Sequence, residues 1–206
     1  MILRMVKKDF LRNKATILTL FLFIVLSSLF ASAGSCMAAE LTRSIKYLLE
    51  KAEVPHFIQM HTGEINRPAA EKFISGSNYV KEAQIVEMIT IGSRNIVFNG
   101  KEENGHNDIM DISLIRQNEK FDFLLNLDNN PVSVEKGKIA VPVYYMQKEK
   151  LKKGDKIRIQ GEGFTAELII SDFIRDAQMN SAILHSKRLV INEEDFKNIK
   201  NSVGKM

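Results

Sequence analysis

The feature that most constrains this chain is an uninterrupted apolar run near its N-terminus. Residues 15–39 form 25 consecutive positions without a charged side chain, and no other uncharged run approaches this length. An α-helix rises about 1.5 Å per residue, so this run would span about 37 Å, more than the hydrocarbon core of a bilayer at about 30 Å. Because lipid offers no hydrogen-bond partners to the backbone, the run predicts a single transmembrane helix.

The distribution of charge predicts the orientation of this helix. The chain has a formal net charge of +4, and residues 1–14 hold five basic side chains and one acidic side chain. The remaining residues therefore include 24 basic and 24 acidic side chains, which cancel. Basic arms stay on the cytoplasmic side of a membrane. The sequence thus predicts a cytoplasmic arm (1–14), a single pass through the cell membrane, and an extracellular main domain.

Nucleic-acid binding is disfavoured by the same distribution, because such binding requires a basic patch on the folded surface. Intrinsic disorder is disfavoured too, since hydrophobic residues make up 45% of the chain and charged residues 26%.

The basic run 148–156 is interpreted as a solvated helix face and turn. Contact of this run with anionic lipid headgroups or cell-wall polymers stays open as an alternative.

Residues 40–52 are predicted to continue the transmembrane helix outward as an amphipathic stalk. Leu41, Ile45, Leu48 and Leu49 recur at spacings of three and four, as on one helix face. A cleaved signal peptide is the alternative, which the long basic region and the long apolar run disfavour. Lipidation of Cys36 is a weaker alternative. A lipoprotein signal requires a large aliphatic residue three positions before the cysteine, and this sequence has none there.

Residues 53–206 predict one extracytoplasmic domain of the α+β class, with a mixed, mainly antiparallel sheet and short helices. Strands and helices mix there without a regular β–α alternation. Asn66 and Asn192 are predicted helix caps, and Asp195 stands where a capping box requires an acid. The predicted helices are 67–75, 146–153 and 193–200, and the predicted strands are 54–62, 79–91, 94–98, 108–115, 138–145, 156–160, 164–174 and 187–191.

Turn signals separate several of these elements. Asn-Gly pairs at 99–100 and 104–105 flank a polar loop, Gly154 and Asp155 predict a turn, and Gly161 and Gly163 predict a hairpin.

The sequence indicates no catalytic group, metal site or cofactor. The four histidines, His56, His61, His106 and His185, do not have the spacing of metal ligands. No phosphate-binding loop and no nucleophile elbow is present, so the chain is not predicted to be an enzyme. The acids of residues 119–123 and 192–196 are interpreted as caps of turns and helix starts.

The segment 175–191 is the most polar region that lies between two predicted strands. Side chains packed this densely predict a hydrogen-bonded loop that fixes the junction of two elements, with a binding loop as the alternative. The candidate residues of this loop are Arg175, Asp176, Gln178, Asn180, Lys187 and Arg188.

The order of these segments resembles a known family. The basic arm with Leu11-Arg12-Asn13-Lys14, the apolar run and the sequence VPHFIQMHTG (54–63) look like the start of an FtsX-like or MacB-like ABC transporter permease. FDFLLNL (121–127), GKIAVPVYYMQKEKLKKGDKI (137–157) and FIRDAQMNSAILHSKRLVI (173–191) resemble the large first extracytoplasmic domain of such permeases in Gram-positive bacteria. The pattern of Leu151, Gly154, Asp155 and Ile157 recurs across the wider family, where a turn leads into a strand.

The resemblance implies a MacB-like periplasmic core fold and a role in export or force transmission without chemistry in this polypeptide. It implies a separate cytoplasmic ATPase subunit, a homodimer or heterodimer of permeases, and contact with membrane lipid. A permease of this kind has at least three further membrane helices, which the sequence lacks, so we expect a truncated or fragmentary permease. The alternative is a free-standing, membrane-anchored sensor or binding module.

Overall fold

The structure is a computed structural model that describes residues 12–92, 95–99, 111–161, 164–179 and 186–203. Several sequence predictions lie wholly or partly outside these ranges. They concern the turns at 99–100 and 104–105, the hairpin glycine Gly163, the strand residues 108–110, and His106 and His185. The chain divides into two compact units, residues 1–47 and residues 48–206.

A single helix, α1 (Lys14–Lys51), covers both the predicted transmembrane segment and the predicted stalk. Its 38 residues correspond to about 57 Å of helix. Among the described residues it is the one helix long and apolar enough to cross a membrane, with a mean hydropathy of 2.3 in its most apolar window. The helix contains no proline, the residue that would most strongly bend it.

Hydroxyl side chains within the apolar part of α1 bond to the helix itself. Thr19 donates to the Ala15 carbonyl at 3.0 Å, Ser28 to the Val25 carbonyl at 2.8 Å, and Ser35 to the Ala31 carbonyl at 2.9 Å. These bonds leave no hydroxyl proton of the three unsatisfied, which is the condition for placing such residues in lipid.

In the part of the chain that the structure describes, the unit that begins at Leu48 is built on one seven-stranded sheet, with the strand order β1-β3-β7-β4-β6-β5-β2. Four of its six pairings are antiparallel, and the pairings of β3 with β7 and of β4 with β6 are parallel. The predicted α+β class and the mixed, mainly antiparallel sheet are therefore confirmed within the described residues. The strands are β1 (Ile89–Gly92), β2 (Ile96–Phe98), β3 (Asp111–Ile115), β4 (Lys138–Pro142), β5 (Lys156–Gly161), β6 (Phe164–Ile174) and β7 (Ser186–Ile191).

The two edge strands of this sheet, β1 and β2, are consecutive in the chain. A flat sheet of seven strands would hold its edges about 29 Å apart, at about 4.8 Å per strand spacing. The link from Gly92 to Ile96 contains three residues and spans at most about 14 Å. The sheet must therefore curl until its edges approach each other, as in a partly closed barrel.

Both faces of the central strands are buried. The larger core cluster includes Leu189 and Ile191 of β7, with residues of every other strand and of two helices. Val190 belongs to a second cluster on the opposite face, with Ile115, Leu124, Val132, Ala140 and Ile174. This two-sided burial explains why residues 187–191 of β7 form an unbroken buried run.

Within the described ranges, three short helices accompany the sheet: α2 (Arg67–Gly76), α3 (Val143–Lys148) and α4 (Glu193–Val203). The cap of α2 is as predicted, since Asn66 Oδ1 accepts from the Ala69 amide at 3.1 Å. Asn192 likewise caps α4 by accepting from the Glu194 amide at 2.9 Å. Asp195 was predicted to complete a capping box at this helix. Its Oδ2 instead accepts a long-range hydrogen bond from the Gly137 amide at 2.7 Å.

Two strand predictions upstream of β1 are wrong in large part. Residues 54–62 have no regular secondary structure, and of the predicted strand 79–91 only Ile89 onward pairs in the sheet. The alternating apolar residues of the first segment do not face a core, since Phe57 is 80% exposed and Met60 is 64% exposed. Alternation predicts a strand only where a partner strand and a core face are available.

The region around Pro142 was also predicted with wrong boundaries. The strand ends at Pro142, and Val143 begins α3, so 143–145 are helical and the helix predicted at 146–153 ends at Lys148. Pro142 lacks an amide proton and has a φ of −53°, which suits the position before a helix. Packing of Tyr145, which is 4% exposed, outweighs the β propensity of this aromatic and β-branched stretch.

Glu87 forms ion pairs that connect two helices to the segment before β1. We predict that these ion pairs make a small, pH-dependent contribution to the free energy of unfolding. Its carboxylate accepts from Lys200 Nζ of α4 and from Arg67 Nη2 of α2, both at 2.7 Å. The hydrogen bond from Lys200 is the main cause that lowers the pKa of Glu87 below its ordinary value of 4.5. A carboxyl group whose pKa is lowered by folding stabilises the folded state at pH values above its ordinary pKa. This stabilisation is lost as the pH falls through the pKa that the group has in the folded state.

The variant Glu87→Gln should therefore lower the free energy of unfolding at pH 7 by less than about 1 kcal/mol, because the pair is partly exposed. Urea unfolding of both proteins at neutral and at acidic pH checks this, and the difference between them should shrink in acid. An equal difference at both pH values would contradict the prediction.

Candidate functional site

Arg188, on the central strand β7, binds two aspartates in the interior of the second unit (residues 48–206). Its Nε and Nη2 donate to the Asp176 carboxylate at 2.7 and 2.6 Å. Its Nη1 and Nη2 donate to the Asp122 carboxylate at 2.5 and 3.1 Å. The three side chains are between 4% and 8% exposed, so this is a buried ion cluster. We call these three residues the Arg188 cluster.

The Arg188 cluster holds one positive and two negative groups away from water. Burial by itself disfavours the charged guanidinium, but the hydrogen bonds to Asp176 and Asp122 outweigh it and raise the pKa of Arg188 above its ordinary value. Further donors satisfy the excess negative charge. Asn118 Nδ2 donates to Asp122 Oδ2 at 3.0 Å, and the amides of Gln178 and Met179 donate to Asp176 Oδ1 at 3.0 and 2.8 Å.

Asp122 also connects this cluster to the end of the stalk. The Asp122 amide donates to the Glu53 carbonyl at 2.9 Å, and the Phe123 amide donates to the Ala52 carbonyl at 2.8 Å. Ala52, one residue beyond α1, is fully buried. Asp122 has a φ of 57°, a left-handed conformation that aspartate tolerates better than most residues. The backbone of Asp122 thus holds the end of the stalk, and its side chain holds the centre of the sheet.

Arg175 fixes the segment that follows Asp122. Its backbone amide and carbonyl both pair with Leu125, at 2.7 and 3.2 Å. Its Nη2 donates to the carbonyls of Asn126 and Leu127 at 3.1 and 2.6 Å, which closes the turn at residues 126–130. Residues 122–127 are therefore held between the end of the stalk and the end of β6.

The remaining candidates of segment 175–191 have different environments. Gln178 contributes its backbone amide to the Arg188 cluster, and its side-chain Oε1 is buried without a hydrogen-bond partner among the described residues. Lys187 is fully buried on the other face of β7, with Nζ 4.1 Å from the centre of the Tyr144 ring. Asn180 lies outside the described residues. The structure therefore brings Asp176 and Arg188 into one cluster, places Arg175 beside it and separates Lys187 from it.

Asp122 and Asn118 belong to this site, although sequence reasoning did not include them. The interpretation of Asp122 as an acid that caps a turn is corrected here, since its carboxylate binds Arg188. The available signal was its position between two phenylalanines, because a charged residue in an apolar stretch requires a buried partner.

The arrangement is suited to holding elements together, because every member of the Arg188 cluster is already bound to another member. Among the described residues there is no group of three or more histidines, cysteines, aspartates and glutamates that could hold a metal ion. His56 and His61 are exposed and outside the cluster. Comparison of the chain with protein-family models and with curated proteins finds no match.

Proposed function

We propose that this chain is the N-terminal part of an ABC transporter permease subunit, which acts in export or force transmission across the cell membrane. A separate cytoplasmic ATPase would supply the energy, and a second permease would complete a homodimer or heterodimer. The order of basic arm, apolar helix, stalk and outer domain supports this proposal, as does the resemblance of segments 121–127, 137–157 and 173–191 to such permeases.

The observation that carries the proposal is the attachment of the stalk to the sheet. Helix α1 is continuous from Lys14 to Lys51, and the two residues after it accept hydrogen bonds from the amides of Asp122 and Phe123. Asp122 is bound to Arg188 in the centre of the sheet. Separating a buried ion pair costs several kcal/mol, so a displacement of the stalk end would move the sheet with it.

The apolar helix and the basic arm support a location in the cell membrane, with the N-terminus in the cytoplasm. In this arrangement the ATPase acts on the side of the arm, and the outer domain meets the substrate or partner. The chain itself would perform no chemistry. Beyond the arm, the chain carries 24 acidic and 24 basic residues, which does not favour a general attraction to acidic polymers.

We predict that the chain co-purifies with an ATPase that contains a phosphate-binding loop. The experiment is affinity purification from native membranes in mild detergent, followed by mass spectrometry. A matched control replaces residues 15–39 with a leucine-alanine helix of the same length and keeps both flanking parts. The natural chain should retain the ATPase and the control should lose most of it, because helix contacts within the membrane depend on side-chain identity. Absence of such an ATPase from the natural complex would contradict the proposal.

A membrane-anchored binding module is the second candidate, and one observation favours it. The outer unit has an open polar groove of about 480 Å³, to which both α2 and the start of α4 contribute. A module of this kind would bind its ligand in purified form without any ATPase. Binding without the ATPase, together with no ATPase in the native complex, would favour the module over the permease.

A further inference from the structure

Residues 122–127 join the end of the stalk to the sheet, and we call them the strap. At the start of the strap, the amides of Asp122 and Phe123 donate to the carbonyls of the two residues after α1, at 2.9 and 2.8 Å. The strap belongs to none of the seven strands, and within the described ranges its β-type pairing consists of isolated bridges at Leu125. Because the strap lacks the ladder of a strand, individual hydrogen bonds must fix its position.

The start of the strap has a backbone conformation that needs support. Asp122 has a φ of 57°, in the left-handed region that is unfavourable for residues other than glycine, although aspartate tolerates it better than most. Its carboxylate is bound to Arg188, but rotation about the side-chain bonds would let the backbone turn while this ion pair persists. The direction of the two amides therefore depends on the residues that follow them.

Arg175 makes four hydrogen bonds with the end of the strap. Its amide donates to the Leu125 carbonyl at 2.7 Å, and its carbonyl accepts from the Leu125 amide at 3.2 Å. Its Nη2 donates to the carbonyls of Asn126 and Leu127 at 3.1 and 2.6 Å. The two bonds from the guanidinium have a charged donor, and such bonds are about twice as strong as bonds between neutral groups.

Two other contacts hold the strap nearer to its start. Gln117 Nε2 donates to the Leu124 carbonyl at 3.0 Å, and Gln117 Oε1 accepts from the Leu124 amide at 3.3 Å. The second contact is the ion pair of Asp122 with Arg188. Neither contact reaches residues 125–127, so the bonds from Arg175 are what tie the end of the strap to the end of β6.

We propose that Arg175 is a positioning residue for the stalk. By tying the end of the strap to β6, it keeps the amides of Asp122 and Phe123 directed at the stalk, to which Arg175 itself makes no hydrogen bond among the described residues. Without the guanidinium, the end of the strap loses its charged donor, Asp122 relaxes towards the right-handed region, and the two bonds to the stalk open. The consequence for export rests on the proposed function, whereas the opening of these bonds does not.

Hydrogen exchange of the full chain in detergent micelles, followed residue by residue, tests this proposal. Arg175→Met keeps much of the length of the side chain but removes its donors, and Arg175→Lys keeps the positive charge and donors for the carbonyls. Arg158→Met is the matched control, because Arg158 is a partly exposed arginine of β5 that pairs with Glu167 at 3.8 Å. The amides of Leu189 and Val190, on the central strand β7, report opening of the whole sheet.

We expect Arg175→Met to speed exchange at the amides of Asp122 and Phe123 by at least about tenfold, the factor that loss of a hydrogen bond from a charged donor corresponds to. Arg175→Lys should speed it less, and Arg158→Met should leave it unchanged. The two reference amides of β7 should change much less than the strap in every variant.

Unchanged exchange of the strap amides in Arg175→Met would overturn the proposal. Equal acceleration at the reference amides would overturn it too, because it would show a general loss of stability rather than a local one. If Arg175→Met does not fold, Arg175→Lys is compared with the natural chain by the same two criteria. None of these measurements depends on an ATPase, so this proposal fails or succeeds separately from the proposed function.

Discussion

Replacing Arg188 by methionine is expected to lower the free energy of unfolding of the sheet domain by about 3–5 kcal/mol. Methionine retains much of the volume of the arginine side chain but not its charge. Asp122 and Asp176 would then remain buried without their cation, although their other donors stay in place. The loss arises from two uncompensated carboxylates rather than from a cavity.

Urea unfolding of the full chain in detergent, followed by a probe in the sheet domain, measures this effect. Arg116→Met is the matched control, because Arg116 pairs with Glu193 at 2.8 Å at the surface, with side chains 35% and 45% exposed. That substitution should cost less than about 1 kcal/mol. Equal effects of the two substitutions would show that the Arg188 cluster does not hold the domain together.

Neutralising the two carboxylates should restore part of the lost stability. In the Arg188→Met background, the further changes Asp122→Asn and Asp176→Asn remove both buried negative charges while keeping the shape of the side chains. We expect the triple variant to be more stable than Arg188→Met alone, because buried carboxylates without a cation are the main cost. A triple variant less stable than the single one would place the cost in lost packing of Arg188 instead.

Insertion of Gly-Gly between Leu49 and Glu50 is expected to abolish coupled transport in the complete transporter. The insertion lies two residues before the end of α1 and three before Ala52, which accepts from the Phe123 amide. Each glycine costs about 1 kcal/mol of helix stability relative to alanine, so the end of the stalk would no longer move rigidly with the membrane helix. This prediction rests on the proposed function. Export by the transporter reconstituted with its ATPase is the measurement.

An Ala-Ala insertion at the same point separates stiffness from orientation. It adds the same two residues and the same rotation of about 200° but keeps good helix formers. Export by the Ala-Ala variant alone would show that stiffness is what matters, and loss in both would show that orientation matters as well. Both variants should still fold, which a cooperative urea unfolding of residues 48–206 would show. Normal export with Gly-Gly would refute a role of the stalk as a lever.

The elements predicted correctly are those whose signals are local. The long apolar helix α1 follows from 25 uncharged residues, and the caps of α2 and α4 follow from single asparagines in front of helical stretches. β6 (Phe164–Ile174) has the predicted boundaries, because a turn pair precedes it and a β-branched, aromatic run fills it. In each case the residues that determine the structure are close together in the chain.

The elements predicted wrongly depend on partners far away in the chain. Residues 54–62 alternate like a strand, yet no strand of the sheet pairs with them among the described residues. Val143–Tyr145 have strand propensity, but the burial of Tyr145 against Phe98, with ring centres 5.2 Å apart, favours a helix there. Asp195 has the position of a local cap but bonds to Gly137, 58 residues earlier.

Only the part of the candidate site that lies within one segment of the chain was predicted, because contacts between distant segments leave no local signal. Arg175, Asp176 and Arg188 stand out in one polar segment, which indicates a hydrogen-bonded junction. Asp122 is 66 residues from Arg188, and with one sequence nothing connects the two. The link from Asp122 to Glu53 is made by backbone groups, which every residue possesses, so no side-chain pattern could indicate it.

The position of β7 in the sheet has a consequence for the order in which the domain can assemble. Of the described strands, β7 comes latest in the sequence, yet it lies between β3 and β4 in the sheet. Without it the sheet falls into two pieces, the pair β1-β3 and the group β4-β6-β5-β2. During synthesis these two pieces therefore keep unpaired strand edges until residues 186–191 have been made. A chaperone or a protease would meet two half-sheets before that point and one continuous sheet after it.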